Sequence, residues 1–252
     1  MCGIVGSRDP ERIYPLLDEV SKRGTRAYSV SLIDLDAFKL GMRAEVSEEY
    51  KSSLIQKDFK MILDNGGDKV KDPYWVVHLQ SPTASNFSFH PARVENDRYA
   101  LWHNGMIESA ELEKFKDEKG VKPWDTELLL QLLLTGQLGI QPSALLPGSM
   151  GTDISLTGTS QEKRLRVQSF IRLQTPHLQK FPGSFACLYL IQGQGLYMFR
   201  NRIAPMFLDQ SGTVCSIGFE GAAKAMPNVV YSVPSMEPMG IFDNDYDPYG
   251  MS

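Results

Sequence analysis

The 252-residue chain is poor in cysteine and histidine, with three of the first and four of the second. Cys2, Cys187 and Cys215 have no spacing typical of a disulfide framework, and His78, His90, His103 and His177 are too scattered for a recognisable zinc pattern. Basic residues are not in excess. Against 30 Asp and Glu there are 26 Lys and Arg, a net charge of −4, which gives no footprint for a nucleic acid. No apolar run is long enough to span a bilayer. The first residues lack the basic and apolar regions of a secretory signal, so the chain reads as cytoplasmic.

What is present is the composition of a globular domain, 42% hydrophobic and 22% charged. The length favours one large domain, placed at residues 2–235 and followed by an acidic, loosely ordered tail at 236–252. Short β-rich runs bounded by Gly, Pro, Asn or Asp predict strands near 4–6, 28–33, 75–79, 99–103, 184–191, 196–200 and 206–208. The last three follow one another through tight joins, which predicts an antiparallel meander. Ile13, Leu16, Leu17 and Val20 fall at helical spacing and predict a helix over 10–22. Further helices are expected at 48–63, 109–119 and 124–134. Early and late strands with helices between them point to an α+β sandwich, helices outside antiparallel sheets. Residues 136–160, rich in Gly, Ser, Thr and Pro, read as a long surface excursion where a partner could dock.

Cys187 and Cys215 lie in apolar, strand-like runs and read as core packing. Cys2 is different. Removal of Met1 would leave one residue carrying both a thiol and a free α-amine. Such an amine has a pKa of about 7.7–8.0, so a useful fraction is unprotonated near neutrality and can accept a thiol proton. Activation of a nucleophile in this way needs no histidine.

Other elements line up behind Cys2-Gly3-Ile4-Val5-Gly6. In order they are Lys22-Arg23-Gly24; Val77-His78-Leu79-Gln80-Ser81-Pro82-Thr83; His90-Pro91; His103-Asn104-Gly105; Trp124-Asp125-Thr126-Glu127; Pro182-Gly183-Ser184-Phe185-Ala186; and Arg200-Asn201-Arg202-Ile203-Ala204-Pro205. Together they resemble the class II (N-terminal nucleophile type) glutamine amidotransferases, the family found at the front of glucosamine-6-phosphate synthase, asparagine synthetase and amidophosphoribosyltransferase. The matches keep the family order and cover residues 2–226.

The resemblance implies a four-layer αββα sandwich of antiparallel sheets, the Ntn-hydrolase type. It implies hydrolysis of L-glutamine to glutamate and ammonia through a Cys2 thioester, with no cofactor and no metal. The ammonia acceptor is then expected on a separate synthetase chain. Attack on a carboxamide creates an oxyanion that needs preorganised donors, and Asn104-Gly105 offers a side-chain amide and a backbone N–H. Taken alone, Asn-Gly is also the signature of a two-residue hairpin turn. Asp125, at a helix start, is the candidate for the glutamine α-ammonium, and locally it could equally be an N-cap. Arg23 either supports the nucleophile's loop or complements a helix dipole. Gln80 and Thr83 fall in the substrate-binding segment.

Two positions depart from the family. Gln80 stands where an arginine is expected for the α-carboxylate, and a neutral amide replaces a charged fork there. Arg26 falls where an Asp is usual, and either Arg26 or Arg93 is the expected replacement cation. Two alternatives stay open: an Ntn amidohydrolase acting on another amide that lacks a free α-carboxylate, and a catalytically inactive module that binds a partner enzyme.

Overall fold

The computed structural model describes residues 2–47, 50–81, 88–117, 120, 122–135, 182–233, 235–241, 244 and 246. The elements are β1 (Gly3–Ser7), α1 (Pro10–Ser21), β2 (Ala27–Asp34), β3 (Lys39–Val46), α2 (Ser52–Asp64), β4 (Pro73–Gln80), β5 (Ala92–Val94), β6 (Tyr99–Ile107), α3 (Ser109–Glu113) and α4 (Asp125–Thr135). They continue with β7 (Gly183–Ile191), β8 (Gly195–Arg200), β9 (Phe207–Leu208), β10 (Val214–Cys215), β11 (Ala223–Lys224), β12 (Val229–Val233) and β13 (Pro238–Ile241). Two antiparallel sheets result. One has the order β11-β9-β10-β1-β4-β2-β3, the other β13-β12-β8-β7-β6-β5.

Alternation along the strands builds the layers. In β2, Tyr28, Val30 and Leu32 point to the outer face of the first sheet and meet Ile13, Leu17 and Val20 of α1 and Ile55, Phe59 and Ile62 of α2. In β6 and β7, Leu101, Cys187 and Tyr189 point outward to Leu129, Leu130 and Leu133 of α4. Between the sheets lie Ile4, Ile33, Val76, Trp102, Ala186 and Leu188. Helices therefore cover both outer faces, as the α+β expectation required. α1 starts cleanly because the Asp9 carboxylate accepts from the Glu11 N–H at 3.0 Å and Pro10 takes the first helical position.

Several expectations need correction. The stretch 206–208 is not the third strand of a meander, because β9 joins β10 and β11 in the other sheet. The crossover is held by Arg200, whose guanidinium donates to the carbonyls of Asn201 at 2.8 Å, Ala204 at 3.2 Å and Ala225 at 2.7 Å. These bonds bend the chain out of its sheet directly after β8. The helix expected over 109–119 is the short α3, which gives way to turn from Lys114. Within the expected loose tail, Pro238–Ile241 forms an edge strand on β12, and Asn244 is buried against Asn201. β3, β5 and β10–β13 were not foreseen. The 136–160 excursion lies outside the described residues.

Candidate active site

Cys2 precedes β1, a central strand between β10 and β4. Gly3 pairs with Leu79 and Ala27 with Gln80, so the next rung sets Gln80 level with Cys2 on the neighbouring strand. Gly3 has no room for a side chain, since a Cβ there would sit 2.0 Å from Val20 Cγ1 of α1. Ser216 pins the start of the strand: its N–H donates to Ile4 O at 2.9 Å and its Oγ accepts from Ile4 N–H at 3.1 Å. Arg23 Nη1 in turn donates to Ser216 O at 2.7 Å, fixing a half-buried cation beside Cys2. Burial raises the Cys2 thiol above its ordinary pKa, with Asp125 adding to the rise, while a backbone hydrogen bond from Ser81 and the Arg23 charge oppose it. The balance favours a neutral thiol, so a base is needed to make it a nucleophile.

Asn104 and Gly105 lie inside β6, paired with Ala186 and Phe185 of β7, and form no hairpin turn. The Asn104 side chain is 1% exposed, yet neither its Oδ1 nor its Nδ2 has a hydrogen-bond partner. Buried amides are ordinarily paired, so an orphan of this kind needs an explanation. Along β6 the backbone groups of His103 face away from β7, its N–H donating to His90 Nδ1 at 3.2 Å and its C=O accepting from His78 Nε2 at 3.1 Å. By the two-residue repeat, the Gly105 N–H faces the same side, beyond the end of β5. Gly105 must be glycine, because a Cβ would lie 1.9 Å from Ser184 O.

His78 and His90 thus converge on His103, the residue before Asn104. The rings of His78 and His90 stack at 3.5 Å, and His90 packs edge-on against Trp124. Burial lowers the pKa of His78 to about 3 and that of His90 well below its usual value, so both rings are neutral. Their partners set the tautomers: His78 carries its proton on Nε2, which faces a carbonyl, and His90 on Nε2, since its Nδ1 accepts. His78 bridges from β4 in one sheet to β6 in the other. It therefore spaces the Cys2 sheet from the Asn104 strand.

No family model matches the chain, and no curated protein does. Solved structures do. Over 95% of its length the chain is similar to a glutamine phosphoribosylpyrophosphate (PRPP) amidotransferase from B. subtilis complexed with ADP and GMP, at 18% identity and a TM-score of 0.54. A second is described as the allosteric regulatory enzyme of purine biosynthesis, with 17% identity, a TM-score of 0.52 and 96% of this chain covered. The chain shares the fold of the matched half of these structures. It spans about half the length of each of these structures, 50% in both cases.

Within this fold, Gln80 is level with Cys2, the charges of Arg23 and Asp125 both reach the Cys2 thiol, and Asn104 and Gly105 follow the His103 carbonyl that His78 of β4 meets. Asp125 opens α4. Its Oδ1 accepts from the Thr126 N–H at 2.7 Å, and its Oδ2 lies 3.8 Å from His103 Nδ1. Arg26 is exposed and is tied to Gln80 through its backbone N–H, 3.1 Å from Gln80 O. Arg93 is drawn elsewhere, bonded to Asp97 at 3.0 Å and 3.7 Å from Glu45. With those acids, Phe89, Trp124 and Glu127 it lines a cleft of about 450 Å³ whose walls do not include Cys2, Gln80 or Asn104. Thr83 lies outside the described residues.

The convergence of His78, His90 and His103 does not show in the sequence, where their scatter only fails to match a zinc pattern. Their signal was position: each sits inside or beside one of the ordered elements, and His103 directly precedes Asn104. Among the described residues no group of three or more His, Cys, Asp or Glu is arranged to hold a metal ion. Nor is any helix there long and apolar enough to cross a membrane.

Proposed function

We propose that the protein is a glutaminase-type amidotransferase domain acting in the cytoplasm. The observation that carries this reading is the Asn104 amide, buried and unpaired on the strand end that faces the Cys2 sheet. Cys2 Sγ attacks the side-chain amide carbon of L-glutamine, and the C=O pair moves onto oxygen. Asn104 Nδ2 and the Gly105 N–H donate to that oxyanion. With Met1 removed, the Cys2 α-amine takes the thiol proton and passes it to the leaving nitrogen. The raised thiol pKa suits this order, since the proton leaves as the bond to carbon forms. Ammonia departs, water attacks the γ-glutamyl thioester, and glutamate is released with the thiol restored. Asp125 holds the substrate α-ammonium, and Arg23 supports the strand start. No cofactor or metal takes part, and the ammonia passes to a separate synthetase chain.

A second reading draws on Gln80, whose neutral amide stands level with Cys2 where a carboxylate would call for a cation. It favours an amide substrate that keeps the ammonium but lacks a free α-carboxylate. Intact-mass measurement of the chain beginning at Cys2, after exposure to an electrophilic glutamine analogue, tests the main reading. One covalent adduct, lost in Cys2→Ala, is expected. An unmodified wild-type chain would remove the enzyme reading and leave the partner-binding module.

A further inference from the structure

Adjacent residues on β6 point to opposite faces, so Asn104 looks inward between the sheets while His103 looks outward to α4. There His103 Nε2 lies 3.2 Å from Ser184 O, and Nδ1 lies 3.2 Å from Thr126 Oγ1. A carbonyl can only accept, so Nε2 carries a proton towards Ser184 O, while Nδ1 and the Thr126 hydroxyl share a hydrogen bond and that hydroxyl also donates to Asp125 Oδ1 at 3.3 Å. Thr126 is fully buried, and its own N–H donates to Asp125 Oδ1 at 2.7 Å. The tie has little slack, because the space a Gly105 side chain would need is filled by Ser184 O and His103 Nε2, 1.9 and 2.7 Å from an ideal Cβ. Asp125 Oδ2 lies 3.8 Å from His103 Nδ1, and the Asp125 charge also reaches the Cys2 thiol.

We propose that His103 and Thr126 are positioning residues that lock the Asp125 carboxylate to the back of the strand whose inner face carries Asn104, and so fix the distance between the ammonium-binding and amide-polarising ends of the site. This rests on the glutamine reading above. A substrate held at both ends feels an error of a fraction of an ångström in that spacing, whereas one held only at its amide does not.

The test compares L-glutamine with glutaramate, the same ω-amide without the α-amine. The readout is the ratio of their kcat/KM values in Thr126→Val, Thr126→Ser and His103→Gln. Thr126→Val removes the hydroxyl at nearly constant volume. His103→Gln keeps a donor for Ser184 O and removes the ring nitrogen that meets the Thr126 hydroxyl. The ratio of glutamine to glutaramate should fall about tenfold in Thr126→Val and His103→Gln, mainly through the KM for glutamine, and return in Thr126→Ser. Equal losses on both amides, or an unchanged ratio, overturn the proposal. A wild-type protein that hydrolyses neither amide overturns the glutamine reading and this inference with it.

Discussion

Two asparagines sit at the same end of the second sheet, and their surroundings are opposite. Asn201, fully buried, accepts at Oδ1 from the N–H groups of Phe185, Ile203 and Ala204 and donates through Nδ2 to Gly183 O and Asn244 Oδ1. Asn104, equally buried, makes no side-chain hydrogen bond. The two lie close, since Asn104 pairs with Ala186, which pairs with Arg200, the residue before Asn201. Burial alone therefore does not mark a working amide; the distribution of partners does. A saturated amide holds the chain in place, and the proposed function assigns the orphan one to a group that is not part of the chain.

The largest effect expected from breaking this contrast is on stability. Asn201→Ala leaves several buried backbone groups unpaired and should cost about 3 kcal/mol, read by urea unfolding. An unchanged midpoint would mean that the network around Asn201 is not what holds the crossover from β8 to β9.

The two ends also differ in what braces them. The Asn201 end is held by the permanent cation of Arg200, the Asn104 end by neutral His78 and His90. Both histidines have folded pKa values below the unfolded value of about 6.5. Their contribution to stability is complete above that value and is lost as pH falls through the window from about 6.5 towards 3, because the unfolded chain then binds protons that the folded one excludes. Thermal unfolding across that window should show a slope that His78→Asn reduces. A wild-type slope retained in that variant would clear His78 of the role.

The smallest effect sharpens what the site accepts. Gln80→Arg places a cation level with Cys2, and should lower KM for glutamine about tenfold. No change in KM would favour the reading in which the substrate lacks a free α-carboxylate.

Much of the fold was legible because alternation in β2, β4, β6 and β7 sorts residues into outer and inner layers directly. Cys2, Asn104, Gly105 and Asp125 could be named because each belongs to a short, ordered element. What escaped has physical causes. β10 and β11 have two residues each, too few to show a period. The move of β9 to the other sheet depends on Arg200 bonding carbonyls as far away as Ala225. Asn104-Gly105 carries a turn signature that long-range pairing with β7 overrides. His78, His90 and His103 become one cluster only once the two sheets are stacked.

The central claim is that the Asn104 amide is left unpaired for an oxyanion. Measuring kcat and Tm of Asn104→Ala side by side tests it most directly. The account predicts a fall in kcat of about 10²–10³ with Tm unchanged or raised, since no protein hydrogen bond is lost. A Tm lowered as much as in Asn201→Ala, with kcat near the wild-type value, would contradict it.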